Sequence, residues 1–369
     1  MNIKDKPKII ISSYDDLKNP YYAGGGAVVV HEVFKRLKES YKVKVITGKY
    51  PGSIDENVDG VVYERIGTNF FGPRLGQLVF QVLLPFYVLT ERFDLWVESF
   101  TPPFSTAFLP LFSKKPVVGL VHMLAALDMQ RKYKLPFTIV ENFGLAFYKN
   151  FIVVNEETEK KIRKVNSSSK IYHIPNGVDL ARGVGRNKGF KHVLFLGRIE
   201  VDQKGLDLLL KSYSLIFEKI GQKLVIAGQG SHKELAKLKK LIKEFGLTNN
   251  VDLVGRVVGR RKEKILENAS VVAVPSRYET FSMVALEALA AGKPVISFDI
   301  PGLRWLSDEV SIKIKPFGIK SFANGIKDIL ENYQKALKMT AKARAFVKNH
   351  SWDRVYKKYE KVIENLLDR

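Results

Sequence analysis

The sequence predicts two doubly wound parallel α/β sheets in tandem, and three observations carry that prediction. Short β-branched runs alternate with helical patterns along the chain, the rhythm of parallel βαβ units. The 369 residues, 46% of them hydrophobic, suffice for two ordinary α/β domains, and one compact core is the weaker reading. Residues 175–191, PNGVDLARGVGRNKGFK, are rich in Gly, Asn and Lys and nearly free of apolar periodicity, which places a linker there.

In the first half the predicted strands are KIIISS (8–13), KVKVIT (42–47), DLWVES (94–99), PVVGLVH (116–122) and FIVVN (151–155). Gly24, Gly25 and Gly26 follow the loop of the first strand and open the helix AVVVHEVFKRLKES. The pattern is not GxGxxG, and no acidic residue closes a second strand about twenty positions on, which disfavours a dinucleotide fold of the dehydrogenase type. Glycines there still let a ligand approach the backbone closely. The most apolar window, LGQLVFQVLLPFYVL (75–89), holds two Gln and a Pro and is too short to span a bilayer. It reads as a buried helix, with an apolar face turned toward a membrane or a lipid-like acceptor as the alternative. His122 ends its strand, a position where histidine is more often structural than chemical.

The second half offers HVLFLGR (192–198), KLVIAGQG (223–230), VDLVG (251–255), SVVAVPS (270–276) and PVISFD (294–299) as strands. After the fourth, RYET reads as a turn and SMVALEALAA as a helix capped by Ser282 and stopped at Gly292. Ligands of open α/β sheets sit outside the carboxyl ends of strands, so Glu279 is expected to face a ligand crevice. Free amides around Phe281, Ser282 and Met283 open an apolar helix and suit a phosphate. Glu287 lies inside that helix, where an unpaired carboxylate costs several kcal/mol. Either a nearby Arg or Lys pairs with it, or ligand hydroxyls complete its hydrogen bonds. Arg198 and Lys204 lie in the turn after the strand 192–198, before a helix beginning near Gly205. A bidentate guanidinium and a mobile ammonium converging there would suit a departing diphosphate.

Composition narrows the class. The absence of cysteine excludes a disulfide framework and cysteine-ligated zinc, and MNIKDKPKIIISS lacks the apolar region of a secretory signal, so a cytoplasmic location is expected. Sixty Lys and Arg against 38 Asp and Glu give a net charge of +22, which attracts nucleic acid, acidic lipid or phosphorylated small molecules. Residues 1–180 carry 24 basic and 18 acidic side chains, and residues 181–369 carry 36 and 20. Runs such as KELAKLKKLIKEFG (233–246) read as solvated helix faces. A nucleic-acid-binding protein would add a recognisable module or interleaved stacking aromatics, and neither is convincing here.

Taken together, the Gly-rich first loop, IPNGVD (174–179), GRIEVDQKG (197–205), IAGQG (226–230), VDLVGRV (251–257) and the pair Glu279 and Glu287 within PSRYETFSMVALEALAAGKPVI resemble glycosyltransferase family 4, the retaining group 1 glycosyltransferases. The resemblance runs over nearly the whole chain, in order and spacing. It implies the GT-B fold, two Rossmann-like domains facing a central cleft, here an acceptor-binding domain over 1–180 and a nucleotide-sugar-binding domain over 181–350. Residues 351–369 look like the family's terminal helix crossing back to the first domain.

The resemblance also implies roles. Arg198 and Lys204 match the diphosphate-binding cations, Glu287 the glutamate on the ribose hydroxyls, and Glu279 the one near the donor sugar. Amides around Phe281, Ser282, Met283 and Val284 are expected to contact sugar and phosphate, with Gly25 and Gly26 lining the donor and Arg256, in GRVVGRR, near the base. His122 matches an active-site histidine close to the sugar, although Met123 stands where the family often has an acidic residue, which leaves its role open. The implied reaction is metal-independent transfer with retention from a UDP- or GDP-linked sugar to a glycan or lipid-linked acceptor; the basic surface and the apolar segment 75–89 point to peripheral contact with an anionic membrane. An epimerase or a phosphorylase on the same fold is the alternative.

Overall fold

The computed structural model describes residues 6–22, 24–70, 72–180 and 191–368; most of the expected linker, residues 181–190, and the first five residues of the N-terminal stretch lie outside these. The chain divides into two compact units, one of Met1–Asn176 with Trp352–Arg369 and one of Gly177–Ser351.

The first unit runs β1 (Lys8–Ser12), α1 (Gly25–Leu37), β2 (Lys42–Gly48), β3 (Glu56–Val58), β4 (Val61–Ile66), α2 (Gly72–Thr90), β5 (Leu95–Ser99), β6 (Val117–Val121), α3 (Ala126–Tyr133), α4 (Phe137–Leu145), β7 (Asn150–Val153), α5 (Glu156–Val165) and β8 (Lys170–His173). Its strands pair in the order β3-β4-β2-β1-β5-β6-β7-β8, parallel except for β3 with β4. Ile9, Ile10 and Ile11 in β1 and Leu95, Trp96 and Val97 in β5 are all buried. Such continuous apolar runs mark strands covered on both faces by helices. Phe80, Leu84 and Val88 of α2, Leu145 of α4 and Ile162 of α5 share one core with Ile10, Trp96 and Phe151. Those three helices therefore form one layer.

The second unit continues through β9 (His192–Leu196), α6 (Leu206–Tyr213), α7 (Phe217–Ile220), β10 (Lys223–Ala227), α8 (His232–Glu244), β11 (Val251–Gly255), α9 (Gly259–Asn268), β12 (Ala269–Val274), α10 (Met283–Ala290), β13 (Val295–Phe298), β14 (Ser311–Ile314), α11 (Ile319–Glu331) and α12 (Tyr333–Val347). Its strand order is β11-β10-β9-β12-β13-β14, all parallel. The last helix, α13 (Trp352–Leu367), belongs to the first unit and packs on α1, with Arg36 Nε donating to Asp353 Oδ1 at 2.8 Å.

Each run read as a strand in the sequence is one, and where glycine follows the strand ends two or three residues early, at Leu196 and Ala227. The strands β3, β4, β8 and β14 were not expected. One expectation is corrected: residues 75–89 do form a helix, but the helix is not buried all round. Leu75, Leu78, Val82, Phe86 and Leu89 are exposed, whereas Gln77 and Gln81 are buried.

Candidate active site

In the second unit the strand order reverses between neighbours β9 and β12, so the chain leaves their carboxyl ends in opposite directions. Crevices of this kind are where open α/β sheets bind ligands. The loop after β9 carries Arg198 and Lys204, and the loop after β12 carries Glu279. Sequence distance is bridged here by strand adjacency.

The two loops are locked together by close backbone approach. A Cβ on Gly205, whose φ is +65°, would fall 1.9 Å from the Pro275 carbonyl oxygen. Only glycine fits at that contact. Arg277 adds a fork, with Nη1 and Nη2 donating to Asp207 Oδ1 and Oδ2 at 2.8 and 2.7 Å and Nη1 also to the Asp202 carbonyl at 2.6 Å. Its backbone N–H donates to the Gln203 carbonyl at 2.9 Å. Partial burial pulls the Asp207 carboxyl upward, but the Arg277 hydrogen bonds and charge outweigh it and hold the carboxyl below its ordinary value. From the other side, Glu234 Oε2 accepts from the Val201 N–H at 2.7 Å.

Held this way, Lys204 Nζ donates to Glu279 Oε1 at 2.8 Å, and Ser276 Oγ donates to the same oxygen at 2.8 Å. The side chains of Lys204 and Glu279 are only 16% and 11% exposed. An ammonium carries three donors, so Lys204 retains two for an anion while bonded to Glu279. Arg198 is in the same loop but is not drawn into this cluster: its side chain is 68% exposed and Nη1 donates to Glu200 Oε1 at 3.1 Å.

Beyond Glu279 the turn enters α10 through Ser282, whose φ of +68° is left-handed and whose Oγ accepts from the Ala285 N–H at 3.4 Å. The Trp305 ring stacks on Phe281 at 4.5 Å and 1°, and its Nε1 donates to the Phe281 carbonyl at 2.6 Å. Gly302 backs the same turn, since a Cβ there would lie 1.9 Å from the Glu279 carbonyl oxygen. The amides of Phe281, Ser282, Met283 and Val284 meet no acceptor among the described residues. They are the unsatisfied donors of a helix start, with the dipole favouring negative charge. One turn on, Glu287 is half-buried and Oε1 accepts from Lys262 Nζ of α9 at 2.5 Å. The pairing cation expected for this glutamate is therefore Lys262. Arg256, just after β11, is exposed, and no ion pair joins it to these groups among the described residues.

In the first unit, His122 follows β6, and Gly25 and Gly26 open α1. A Cβ on Gly26 would lie 3.3 Å from Asp15 Oδ2 and 3.6 Å from His122 Cδ2, so carboxylate, imidazole and helix start meet at one point. His122 is partly exposed as a residue, but its Nε2 is sealed from solvent and has no hydrogen-bond partner among the described residues. The sealed nitrogen governs titration, and burial pushes the imidazole down to about 4. His122 is therefore neutral near pH 7, with its sealed nitrogen unsatisfied among the described residues.

Sequence reasoning missed several groups. Arg277 with Asp207, and Asp15, act through contacts between separated segments, for which the sequence holds no local signal, whereas Ser276 lies only three residues before Glu279 in the same turn. Glu98 is also buried, with Oε1 accepting from the Ala107 N–H at 2.5 Å and Oε2 from the Tyr148 hydroxyl. A carboxylate inside the apolar strand DLWVES was the available cue.

Two doubly wound α/β units, the second carrying a cation–carboxylate pair beside helix-start amides at a switch point, define the class of the protein. The model of glycosyltransferase family 4 matches residues 23–182, and that of glycosyl transferases group 1 matches residues 179–346. The chain belongs to this family of group 1 glycosyltransferases. An uncharacterized glycosyltransferase of Methanocaldococcus jannaschii is 34% identical over 184 residues, 49% of this chain and 46% of that one. The chain spans about half the length of the curated relatives it matches. Sucrose-phosphate synthase from Thermosynechococcus elongatus, 19% identical, superposes with a TM-score of 0.81 over 98% of this chain and all of that one. The Anabaena protein HepE, solved with UDP-glucose, is 17% identical with a TM-score of 0.75 over 97% of this chain and 100% of its own. These likenesses give the fold, GT-B with two Rossmann-like units.

Proposed function

We propose that this chain transfers a sugar from a nucleotide-diphospho-sugar to a glycan or lipid-linked acceptor, with retention at the anomeric carbon and without an added metal. The observation that carries the reading is the Lys204–Glu279 pair set 2.8 Å apart beside the free amides of residues 281–284, where the strand order reverses.

The diphosphate lies across the start of α10, its charge met by those amides and by the two spare N–H donors of Lys204. Negative charge on it grows as the sugar departs, so donors aimed there stabilise the transition state more than the ground state. Arg198 swings from Glu200 to join them; its exposure leaves it free to do so. Glu279 faces the donor sugar's hydroxyls, and Glu287 exchanges Lys262 for the ribose hydroxyls. Neither carboxylate serves as a nucleophile. A diphosphate oxygen assists the incoming hydroxyl on the same face of an oxocarbenium-like sugar, which returns the original configuration. A UDP-linked donor is supported by the UDP-glucose bound to HepE, and a GDP-linked one remains within the proposal. The acceptor is held mainly by the first unit, and action in the cytoplasm accords with the absence of cysteine.

The test is incubation with UDP-, GDP- and ADP-sugars, with and without a chelator, following the anomeric proton by NMR. An axial product from an axial donor, unchanged by chelation, is the expected result. An inverted product, or turnover abolished by the chelator, overturns the retention or the metal-independence.

A further inference from the structure

Three loops leave the carboxyl edge of the second sheet from neighbouring strands, after β9, β12 and β13. The first two carry Lys204 and Glu279. The third, residues 299–306, backs the turn that holds Glu279. Its Gly302 lies against the Glu279 carbonyl, and its Trp305 donates from Nε1 to the Phe281 carbonyl at 2.6 Å. One short loop thus engages two carbonyls of the same turn, two residues apart. The indole is itself held by other rings: it stacks on Phe281 at 4.5 Å, with Phe346 of α12 at 6.1 Å and 24° and His350 at 5.6 Å beside it. Phe346 and His350 stack on each other at 5.0 Å. Rings packed in this way fix the indole plane and with it the direction of the Nε1–H.

What Trp305 holds is one peptide plane. Ser282 adopts a φ of +68°, a conformation that a residue with a side chain keeps only where its surroundings over-determine it. Its carbonyl accepts from the Leu286 N–H at 3.3 Å and its Oγ from the Ala285 N–H at 3.4 Å, so both acceptors are committed to α10. Its own N–H meets no acceptor among the described residues. The peptide joining Phe281 to Ser282 is trans, so the Phe281 C=O and the Ser282 N–H point in opposite directions. In the sheet, β12 lies between β13 and β9. A carbonyl drawn to Trp305 in the loop after β13 therefore turns the amide toward the loop after β9, where Lys204 stands.

We propose that Trp305 is a positioning residue for the transfer: by holding the Phe281 carbonyl it aims the Ser282 N–H at the donor's diphosphate. The peptide is set before the ligand arrives, so the donor need not reorient as negative charge develops. Trp305 acts through the backbone and touches no substrate. The inference rests on the donor site proposed above and adds to it the residue that orients one of its amides.

The first measurement needs no variant. The Ser282 amide proton of the full chain is followed by NMR as pyrophosphate, UDP or GDP is added, and a downfield shift is expected as it donates to a phosphate oxygen. The second compares the parent with Trp305→Phe, which keeps a stacking ring and loses the Nε1–H. In that variant the dissociation constant of whichever of the three binds the parent, read by calorimetry, should rise about tenfold, the worth of one hydrogen bond to a charged group. The Ser282 shift should shrink with it, a change that a role confined to stability would not produce. A parent that binds without moving the Ser282 resonance overturns the proposal. So does undiminished affinity in Trp305→Phe, or weakened affinity with the Ser282 shift intact, and in these cases the donor site still stands. A parent that binds none of the three removes the donor site and this inference together.

Discussion

The pairing of Lys204 with Glu279 gives a single substitution two consequences. Lys204→Ala removes donors that face growing negative charge and leaves Glu279, 11% exposed, with Ser276 as its remaining hydrogen-bond donor among the described side chains. Transfer should fall by about 10² to 10³ in kcat, the usual cost of one such donor, measured with whichever donor is turned over. A kcat within about twofold of the parent would remove the role given to Lys204. Glu98 supplies a pH prediction. Burial pushes its carboxyl up to about 7 from 4.5, against hydrogen bonds from Tyr148 and Ala107 that pull it down. The native chain thus holds a proton that the unfolded chain has released. The stability linked to it is complete below about 4.5 and is lost as pH rises through about 7. Glu98→Gln should flatten the fall in stability over that range, as followed by urea unfolding. An unchanged slope would contradict the assignment. Glu279, Glu287 and Lys204 were legible in the sequence because charged groups at strand ends and within an apolar helix stand out. The Arg277–Asp207 fork was not, because it spans seventy positions and exists only once β9 and β12 are neighbours.

At the scale of elements, the site is two loops held by close backbone approach. Gly302→Ala would drive a methyl group into the Glu279 carbonyl, and the turn carrying Glu279 must move. A loss of about 1–3 kcal/mol in stability is expected from such overpacking, together with weakened nucleotide binding by calorimetry. Unaltered binding in the variant would show that the turn tolerates displacement. The buried strands were readable because a parallel sheet demands continuous apolar runs, as in KIIISS and SVVAVPS. The missed β3 and β4 carry alternating or charged residues at a sheet edge, and β8 and β14 are four residues each at the other edges. Hydropathy alone misjudged α2, since it counts apolar residues without saying which way they face.

The tandem organisation was legible at the level of the whole chain from the two βαβ series and the Gly-rich stretch between them. The return of α13 to the first unit came only from the family resemblance, because an amphipathic helix does not name its partner. Val355, Tyr359, Val362, Ile363 and Leu366 are buried in it. At about 1.5–3 kcal/mol each, their loss rivals the entire stability of a domain, about 5–15 kcal/mol. Deleting residues 352–369 should therefore unfold the first unit while the second still melts cooperatively in calorimetry. A single transition at the parental temperature would contradict that division. The central claim, a nucleotide-diphosphate site in the second unit, is tested most directly by thermal unfolding with UDP, GDP and ADP and their sugars, on the parent, Lys204→Ala and Glu287→Ala. A ligand bound to the native state raises the unfolding temperature by mass action. A rise with one nucleotide class, lost in both variants, is the predicted result. No rise with any of them, or an equal rise in the variants, would contradict the site.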